Sequence, residues 1–331
     1  MTRFGRLPDP QALFDHDEAA QAFADILDAR ASEEEIEAFL IALTARGETM
    51  VEIAAAAQAM RDRLIPIDAP QGAIDVCGTG GDGHHTLNVS TAVSLVVAAC
   101  DVPVAKHGNR AASSKAGAAD ALEALGLNME RAGQMAQETL KDLGICFLFA
   151  ANHHPAMKRI QPIRLRIGQR TIFNLMGPLA NPARVKRQLI GIANPAYVPV
   201  YAEALHHLGT EHARVISGDE GLDELSLAGG NAVAVVEPSG VRYHRVTTAD
   251  AGLPSYPVEA IRGGAAQHNA LALRKLLQGE HGAYRDAVLF NAAEALIVAG
   301  VVETMPEGVE EAAEAIDKGL ANALLNCWVA Y

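Results

Sequence analysis

The 331-residue chain reads as an α/β protein, with a small N-terminal helical domain (about 1–70) ahead of a larger α/β domain (71–331) built on a mainly parallel central sheet. Three observations predict this. The first 66 residues carry helical spacing and helix-start signals and no strand-like run. Two prolines in Leu64-Ile65-Pro66-Ile67-Asp68-Ala69-Pro70 read as a linker. Beyond Pro70, short β-branched runs alternate with alanine-rich helical stretches, the pattern of a parallel sheet covered by helices. Half the residues are hydrophobic, enough for a sizeable core.

In the N-terminal block a first helix is expected over about Glu18 to Ala29. Ser32-Glu33-Glu34-Glu35 and Thr49-Met50-Val51-Glu52 are capping boxes, each pairing a hydroxyl with a carboxylate three residues on. After the second, Met50, Ile53, Ala57, Met60 and Leu64 recur at helical spacing. In the larger domain, strands are expected at Ala73–Cys77, Val102–Lys106, Ile145–Phe149, Gln188–Ile192 and Ala213–Ser217. Helices are expected at Thr91–Cys100, Ala116–Leu125, Arg131–Leu143 and Val198–Leu208. Asn231–Glu237 and Val241–Val246, joined by Pro238-Ser239-Gly240, read as a hairpin. Three helices, near Asn269–Gln278, Tyr284–Ala299 and Glu310–Asn322, close the chain. A helical segment near 155–180 is expected to pack on the N-terminal domain.

Composition narrows the function. Lys plus Arg is 27 and Asp plus Glu is 40, a net charge of −13, which argues against a general nucleic-acid binder. No uncharged run reaches the roughly 18–20 residues of a membrane span, and the N-terminus shows no secretory signal. The four cysteines are widely separated, which fits neither a zinc site nor a disulfide framework and suits the reducing cytosol.

The most informative stretch is Asp75-Val76-Cys77-Gly78-Thr79-Gly80-Gly81-Asp82-Gly83, between a predicted strand and the helix start Asn88-Val89-Ser90-Thr91. Its glycines free the backbone to wrap a ligand, and its N–H groups suit an anion. It is neither a Walker loop nor a dinucleotide fingerprint, and an ordinary glycine turn stays open as a reading. A second loop, Lys106 to Gly117, also follows a strand and precedes a helix, placing two such loops at the sheet edge where ligands bind. It adds Lys106, Arg110 and Lys115 with two serines, chemistry suited to an anion, the alternative being a solvated basic turn. A third loop, Ser217 to Leu225, contains Asp223-Glu224, oxygen donors suited to Mg²⁺ if they are not simply solvated surface. Fourth come Asn152-His153-His154-Pro155-Ala156-Met157-Lys158, then Arg164, whose fork could clamp a carboxylate, and Asn174 to Pro182. Zinc at the pairs His84/His85 or His153/His154 is rejected, because neighbouring side chains diverge and no cysteine lies at ligand spacing. His206/His207 reads as helix surface.

Together, Gly78-Thr79-Gly80-Gly81-Asp82, Asn88-Val89-Ser90-Thr91, Lys106 to Ser114, His154 to Lys158, Asn174 to Pro182 and Gly221-Leu222-Asp223-Glu224 closely resemble the anthranilate phosphoribosyltransferase family, over about residues 15–325. The resemblance implies a helical domain hinged to an α/β domain, a homodimer, and the second committed step of tryptophan biosynthesis. In that reaction the amino group of anthranilate displaces pyrophosphate from phosphoribosyl pyrophosphate. It further implies that Gly78, Thr79, Gly80, Gly81, Asp82, Thr86, Asn88, Val89, Ser90, Thr91, Lys106, His107, Gly108, Asn109, Arg110, Ser113, Ser114 and Ala118 cradle the phosphoribosyl donor. Gly78, Asn109, His154 and Arg164 would surround anthranilate, and Ser90, Asp223 and Glu224 would contact Mg²⁺, expected as two ions. The sequence departs from the family pattern at Asp101 (usually Gly), Ala118 (usually Ser), Ala151 (usually Pro) and Ser217 (usually His). Pyrimidine nucleoside phosphorylases share the fold and are the nearest competing reading; a non-catalytic relative that binds nucleic acid or protein is another.

Overall fold

The computed structural model describes residues 6–111 and 115–331. Seven strands form one sheet: β1 (Ile74–Gly78), β2 (Val104–Gly108), β3 (Ile145–Phe149), β4 (Arg187–Gly191), β5 (His212–Gly218), β6 (Asn231–Glu237) and β7 (Gly240–Val246), in the order β3-β2-β1-β4-β5-β6-β7. The first five are parallel, and β6 and β7 add as an antiparallel hairpin. Chain direction therefore brings the C-terminal ends of β1, β2, β4 and β5 to one edge of the sheet. The order reverses at β1, where β2 lies on one side and β4 on the other, the switch point at which open α/β sheets bind ligands.

Side chains alternate across the strands, and each face carries its own core. Ile74, Val76, Leu189, Ile216, Val233 and Val235 pack with helices Val89–Ala99 and Ala283–Ala299. Ile190, Val215, Ala234 and Val236 join a second cluster with Val198–His207 and the N-terminal helices His16–Leu27, Glu33–Arg46 and Met50–Arg61. Ile160 and Ile163 of helix Met157–Ile167 belong to that cluster, and Phe173 sets its ring edge-on to Phe23, 6.5 Å away. Arg166 of the same helix pairs with Glu33 and Glu37.

Both expected capping boxes form, at Ser32/Glu35 and Thr49/Glu52. The first helix runs His16–Leu27 rather than from Glu18 to Ala29. Asp15 accepts from the Glu18 N–H and Glu18 reaches back, so a third capping box sets the start, while Ala29 at φ +64° lies beyond the end. The stretch read as one helix over Arg131–Leu143 is two, Met129–Gln134 and Ala136–Leu143, divided at Met135 (φ −101°, ψ 15°). The expected last helix, Glu310–Asn322, is also two, Met305–Asp317 and Leu320–Ala330. Thr304 and Glu307 box the start of the first, and Gly319 (φ +71°) breaks the chain between them. β2 begins two residues later than expected, past Pro103, which has no N–H for the ladder.

Candidate active site

Three loops meet above the switch point. Gly78 ends β1, Gly191 ends β4, and the acidic loop after β5 lies across both. At either glycine a Cβ would run into Asp223, so a side chain there would displace the loop. Asp223 Oδ2 accepts from the Gly80 N–H at 2.7 Å, and Glu224 Oε1 accepts from the Ser90 N–H at 3.1 Å. Loops far apart in the chain are thus joined through two carboxylates, oxygen donors of the kind a hard cation takes, with Ser90 in the first turn of helix Val89–Ala99. Gly80, Gly81 and Gly83 all take positive φ, which exposes successive N–H groups along the loop.

The carboxylates here are poorly satisfied. Burial pushes the Asp223 carboxyl up to about 7, with the nearby Asp82 charge adding to the shift. Burial raises Glu224 strongly as well, followed by repulsion from Asp223 and Asp82. Glu224 Oε2 is buried without a hydrogen-bond partner. An orphaned buried carboxylate oxygen is costly, and a bound cation would satisfy it and relieve the repulsion.

Behind this cluster Asp75 is fully buried and fully used. Its Oδ2 accepts from Asn181 Nδ2 at 2.8 Å and from Cys77 Sγ at 3.2 Å, and its Oδ1 accepts from the His107 N–H at 3.1 Å. Lys106, 2% exposed, donates to the Val76 carbonyl at 2.7 Å and to Ser90 Oγ at 3.4 Å. Burial lowers the Lys106 pKa, opposed by Asp75.

The basic loop differs from its sequence reading in one respect. Its cations do not converge on one anion. Lys106 points into the core, Arg110 is held by Asp120 (2.9 Å) and Glu123 (2.8 Å) with its guanidinium 5.9 Å from the Phe149 ring centroid, and Lys115 stands apart and exposed. Residue 113 and residue 114, both serines expected in the cradle, lie outside the described residues. Asn109 is exposed, its carbonyl accepting from the Ala119 N–H, and Gly117 allows the close return, since a Cβ there would lie 2.5 Å from the Ala111 nitrogen. Gly108 packs between Phe147 and Ala118. Thr79 N–H donates to Gly191 O, and Thr86 bridges to Arg262. Asn88 is fixed by Ala116 O and Asn269, while the Tyr284 hydroxyl donates to its carbonyl at 3.1 Å. Val89 and Thr91 are buried, Thr91 Oγ1 without a partner.

His107 and His154 meet in the interior, Nε2 to Nε2 at 3.2 Å, and His107 Nδ1 contacts Gly177 O at 2.8 Å. Burial pushes His107 down to about 3 and His154 down to about 4, so both rings are neutral near pH 7. Arg164 is half-buried, its guanidinium pKa lowered by burial, and it has no ion-pair partner among the described residues. Sequence reading missed Asn181, Gly191, Asn269 and Tyr284 as supports of the site. Only Asn181 carried a signal, as part of the Asn174–Pro182 motif; the other three gain meaning from contacts with distant chain, Gly191 with Asp223 and both Asn269 and Tyr284 with Asn88. Of the departures, Asp101 sits at φ +60°, a left-handed position natural to glycine and tolerated by Asp. Ser217 is buried with its hydroxyl near Gly218 O, and Ala151 is exposed in the short helix Ala150–His153.

The arrangement has known counterparts. The sequence matches the helical bundle domain of the glycosyl transferase family over residues 12–64 and the a/b domain of that family over residues 70–322. It is 79% identical to the anthranilate phosphoribosyltransferase of Sphingopyxis alaskensis, covering all of both chains. The chain belongs to the anthranilate phosphoribosyltransferase family. It is also 72% identical to the Novosphingobium aromaticivorans member of that family over 98% of each chain. Among solved structures, the family member from Thermus thermophilus superposes with a TM-score of 0.91 at 41% identity, covering 97% of this chain and 96% of the other. The Saccharomyces cerevisiae enzyme, solved with PRPP and Mg, gives 0.88 at 26% identity over 99% and 96%.

Proposed function

We infer that this chain transfers the phosphoribosyl group of phosphoribosyl pyrophosphate to the amino group of anthranilate, giving N-(5-phosphoribosyl)anthranilate and pyrophosphate. The observation that carries this reading is the docking of Asp223 and Glu224 onto the Gly78–Gly83 loop and Ser90, an anion-binding loop and an oxygen-rich cation site in direct contact. A nucleoside phosphorylase transferring to phosphate has less use for such an acidic pair. The Saccharomyces cerevisiae structure with PRPP and Mg and its complex with 4-fluoroanthranilate support the substrates and the metal.

The residues present fit Mg²⁺: Asp223, Glu224 with its orphaned oxygen, and Ser90 would hold it, and Asp82 adds negative charge for a second ion. When bound, Mg²⁺ supplies positive charge to the departing pyrophosphate. The chain's own residues do the rest. The loop amides from Gly78 to Gly83, with Thr79 and Asp82 fixed between them, hold the donor's charged groups where charge grows as the C1–O bond breaks. Thr86, the amides and hydroxyls of Asn88 to Thr91, and the loop from Lys106 through Gly108, Asn109 and Arg110 to Ser113, Ser114 and Ala118 complete the cradle. Lys106 acts from beneath, holding Ser90 in place. Gly78, Asn109 and neutral His154 border the acceptor, and the unpaired fork of Arg164 takes its carboxylate. Holding the weak aryl amine in line with C1 supplies effective concentration, and no covalent enzyme intermediate is required.

The division at about 70/71, with the prolines 66 and 70 as the joint, lets the helical part and the α/β part move against each other around the acceptor. The active form is a homodimer. The widely spaced cysteines suit the reducing cytosol as the place of work. None of the described helices is long and apolar enough to cross a membrane. The experiment is a fluorescence assay with anthranilate and phosphoribosyl pyrophosphate, with and without Mg²⁺. Mg²⁺-dependent loss of anthranilate fluorescence with pyrophosphate release is expected. No loss at substrate levels of about 1 mM or more would sink the reading, and thymidine or uridine with phosphate would be tried next.

A further inference from the structure

A cavity of about 150 Å³ is walled by Gly83, His84, His85, Lys115, Glu259 and Arg262. Three segments lock together to build it. Residues 258–263 cross the stretch just before Asn88: Thr86 and Arg262 form an antiparallel bridge, Leu87 N–H donates to Ile261 O, and Gly263 N–H donates to His85 O, both at 2.8 Å. A Cβ at Gly263 would lie 2.5 Å from the Thr86 carbonyl oxygen, so the crossing needs glycine there. His84 Nε2 contacts the Glu220 carbonyl at 3.0 Å, tying this wall to the acidic loop. His85 holds an uncommon left-handed backbone, φ +54°, and its Nδ1 is buried without a partner. Lys115 and Arg262 are exposed, and neither has an ion-pair partner among the described residues.

In a chain of net charge −13, two cations without ion-pair partners among the described residues stand around one cavity against the single carboxylate of Glu259 in its wall, a local excess of positive charge. We propose that this cavity is an outer anion site that takes a phosphate group, beside the cradle formed by the loops of β1 and β2. The proposal deepens the transferase reading and rests on it for the identity of the donor. Arg262 offers a planar fork and Lys115 a mobile ammonium, a pairing suited to a phosphate dianion. Because the cavity wall runs directly into Asn88, an anion held there sits at the threshold of the cradle. Its source is either a phosphate of the incoming donor or free phosphate or pyrophosphate.

The test compares wild type with Lys115→Ala, Arg262→Ala and the double variant, all at exposed positions. The KM for the phosphoribosyl donor is expected to rise about fivefold per cation removed, while the anthranilate KM and kcat stay within twofold. Lys115→Arg should restore most of the loss. In parallel, inorganic phosphate and pyrophosphate are titrated into the whole protein by calorimetry in Mg²⁺-free buffer. Weaker binding of these ions in the double variant supports the site and makes the free ion its source. A raised donor KM with no ion binding supports the site and makes the donor its source. Donor KM and ion affinity both within twofold of wild type would overturn the proposal. Absence of turnover in wild type strikes the transferase reading instead, and the calorimetric arm still decides the cavity.

Discussion

Asp75 near the start of β1 and the Asp223–Glu224 pair above the ends of β1 and β4 are both enclosed by protein. Every oxygen of Asp75 has a partner: Asn181, Cys77 and the His107 N–H, with Lys106 close by. Asp223 accepts from the Gly80 N–H and Glu224 from the Ser90 N–H, the two carboxylates repel one another and Asp82, and Glu224 Oε2 is left without a hydrogen-bond partner among the described residues. Cations show the same division. Arg285 is 4% exposed by side chain and grips both oxygens of Asp317 at 2.7 and 2.8 Å, whereas half-buried Arg164 grips nothing among the described residues. For these four groups, complete pairing goes with a role in holding the fold and incomplete pairing with a place for a ligand.

The largest expected effect sharpens this contrast. Replacing Asp223 and Glu224 together by Ala should lower kcat/KM by about a thousandfold, with unfolding free energy unchanged or higher, since buried repulsion is removed. Asp75→Ala should do the reverse in stability, costing about 3 kcal/mol or more in urea unfolding, because Lys106 and Asn181 lose their buried partner. Equal destabilisation by both sets of changes would break the distinction.

The cation pair follows at a smaller scale. Arg164→Ala should raise the anthranilate KM by about tenfold or more, far more than the donor KM, without a comparable loss of stability. Arg285→Ala should lower stability and leave both KM values near wild type. A donor KM that rises as much as the anthranilate KM in Arg164→Ala would count against its assignment to the carboxylate.

The subtlest effect is on pH dependence. The Asp223 carboxyl is raised from its ordinary value to about 7 in the folded protein. Between the unfolded pKa near 4 and the folded value near 7, the native state holds the extra proton. Its contribution to stability is therefore greatest below that window and is lost as pH rises through it. In metal-free buffer, thermal unfolding should show stability falling from pH 4 to 7 through this group, with a shallower fall in Asp223→Asn. Saturating Mg²⁺ should raise Tm most above pH 7, where the carboxylates are ionised; an equal Mg²⁺ shift in the Asp223/Glu224 double variant would place the ion elsewhere.

Much of this was readable in the residues. Local hydrogen-bond chemistry dictates the Ser32/Glu35 and Thr49/Glu52 boxes, and alternating β-branched runs mark the strands, with Ile145–Phe149 read to the residue. The glycine loop and the Asp223-Glu224 pair stood out because their composition is unusual over a few adjacent positions. Breaks inside helical patterns were less visible: Met135 has no breaker chemistry, and the Thr304/Glu307 box went unread.

The sequence by itself determined the fold class, the order of elements and the residue types of the candidate site, because period, capping and loop composition are properties of neighbouring residues. Only the tertiary structure decided which charges are satisfied. It turned Lys106 into the core, gave Arg110 to Asp120 and Glu123, fully paired Asp75, and left Glu224 Oε2 and the side chains of Arg164, Lys115 and Arg262 without ion-pair or hydrogen-bond partners among the described residues. Pairing depends on distance and burial in three dimensions, and partners such as Asp75 and Asn181 lie 106 positions apart in the chain, beyond the reach of any local pattern.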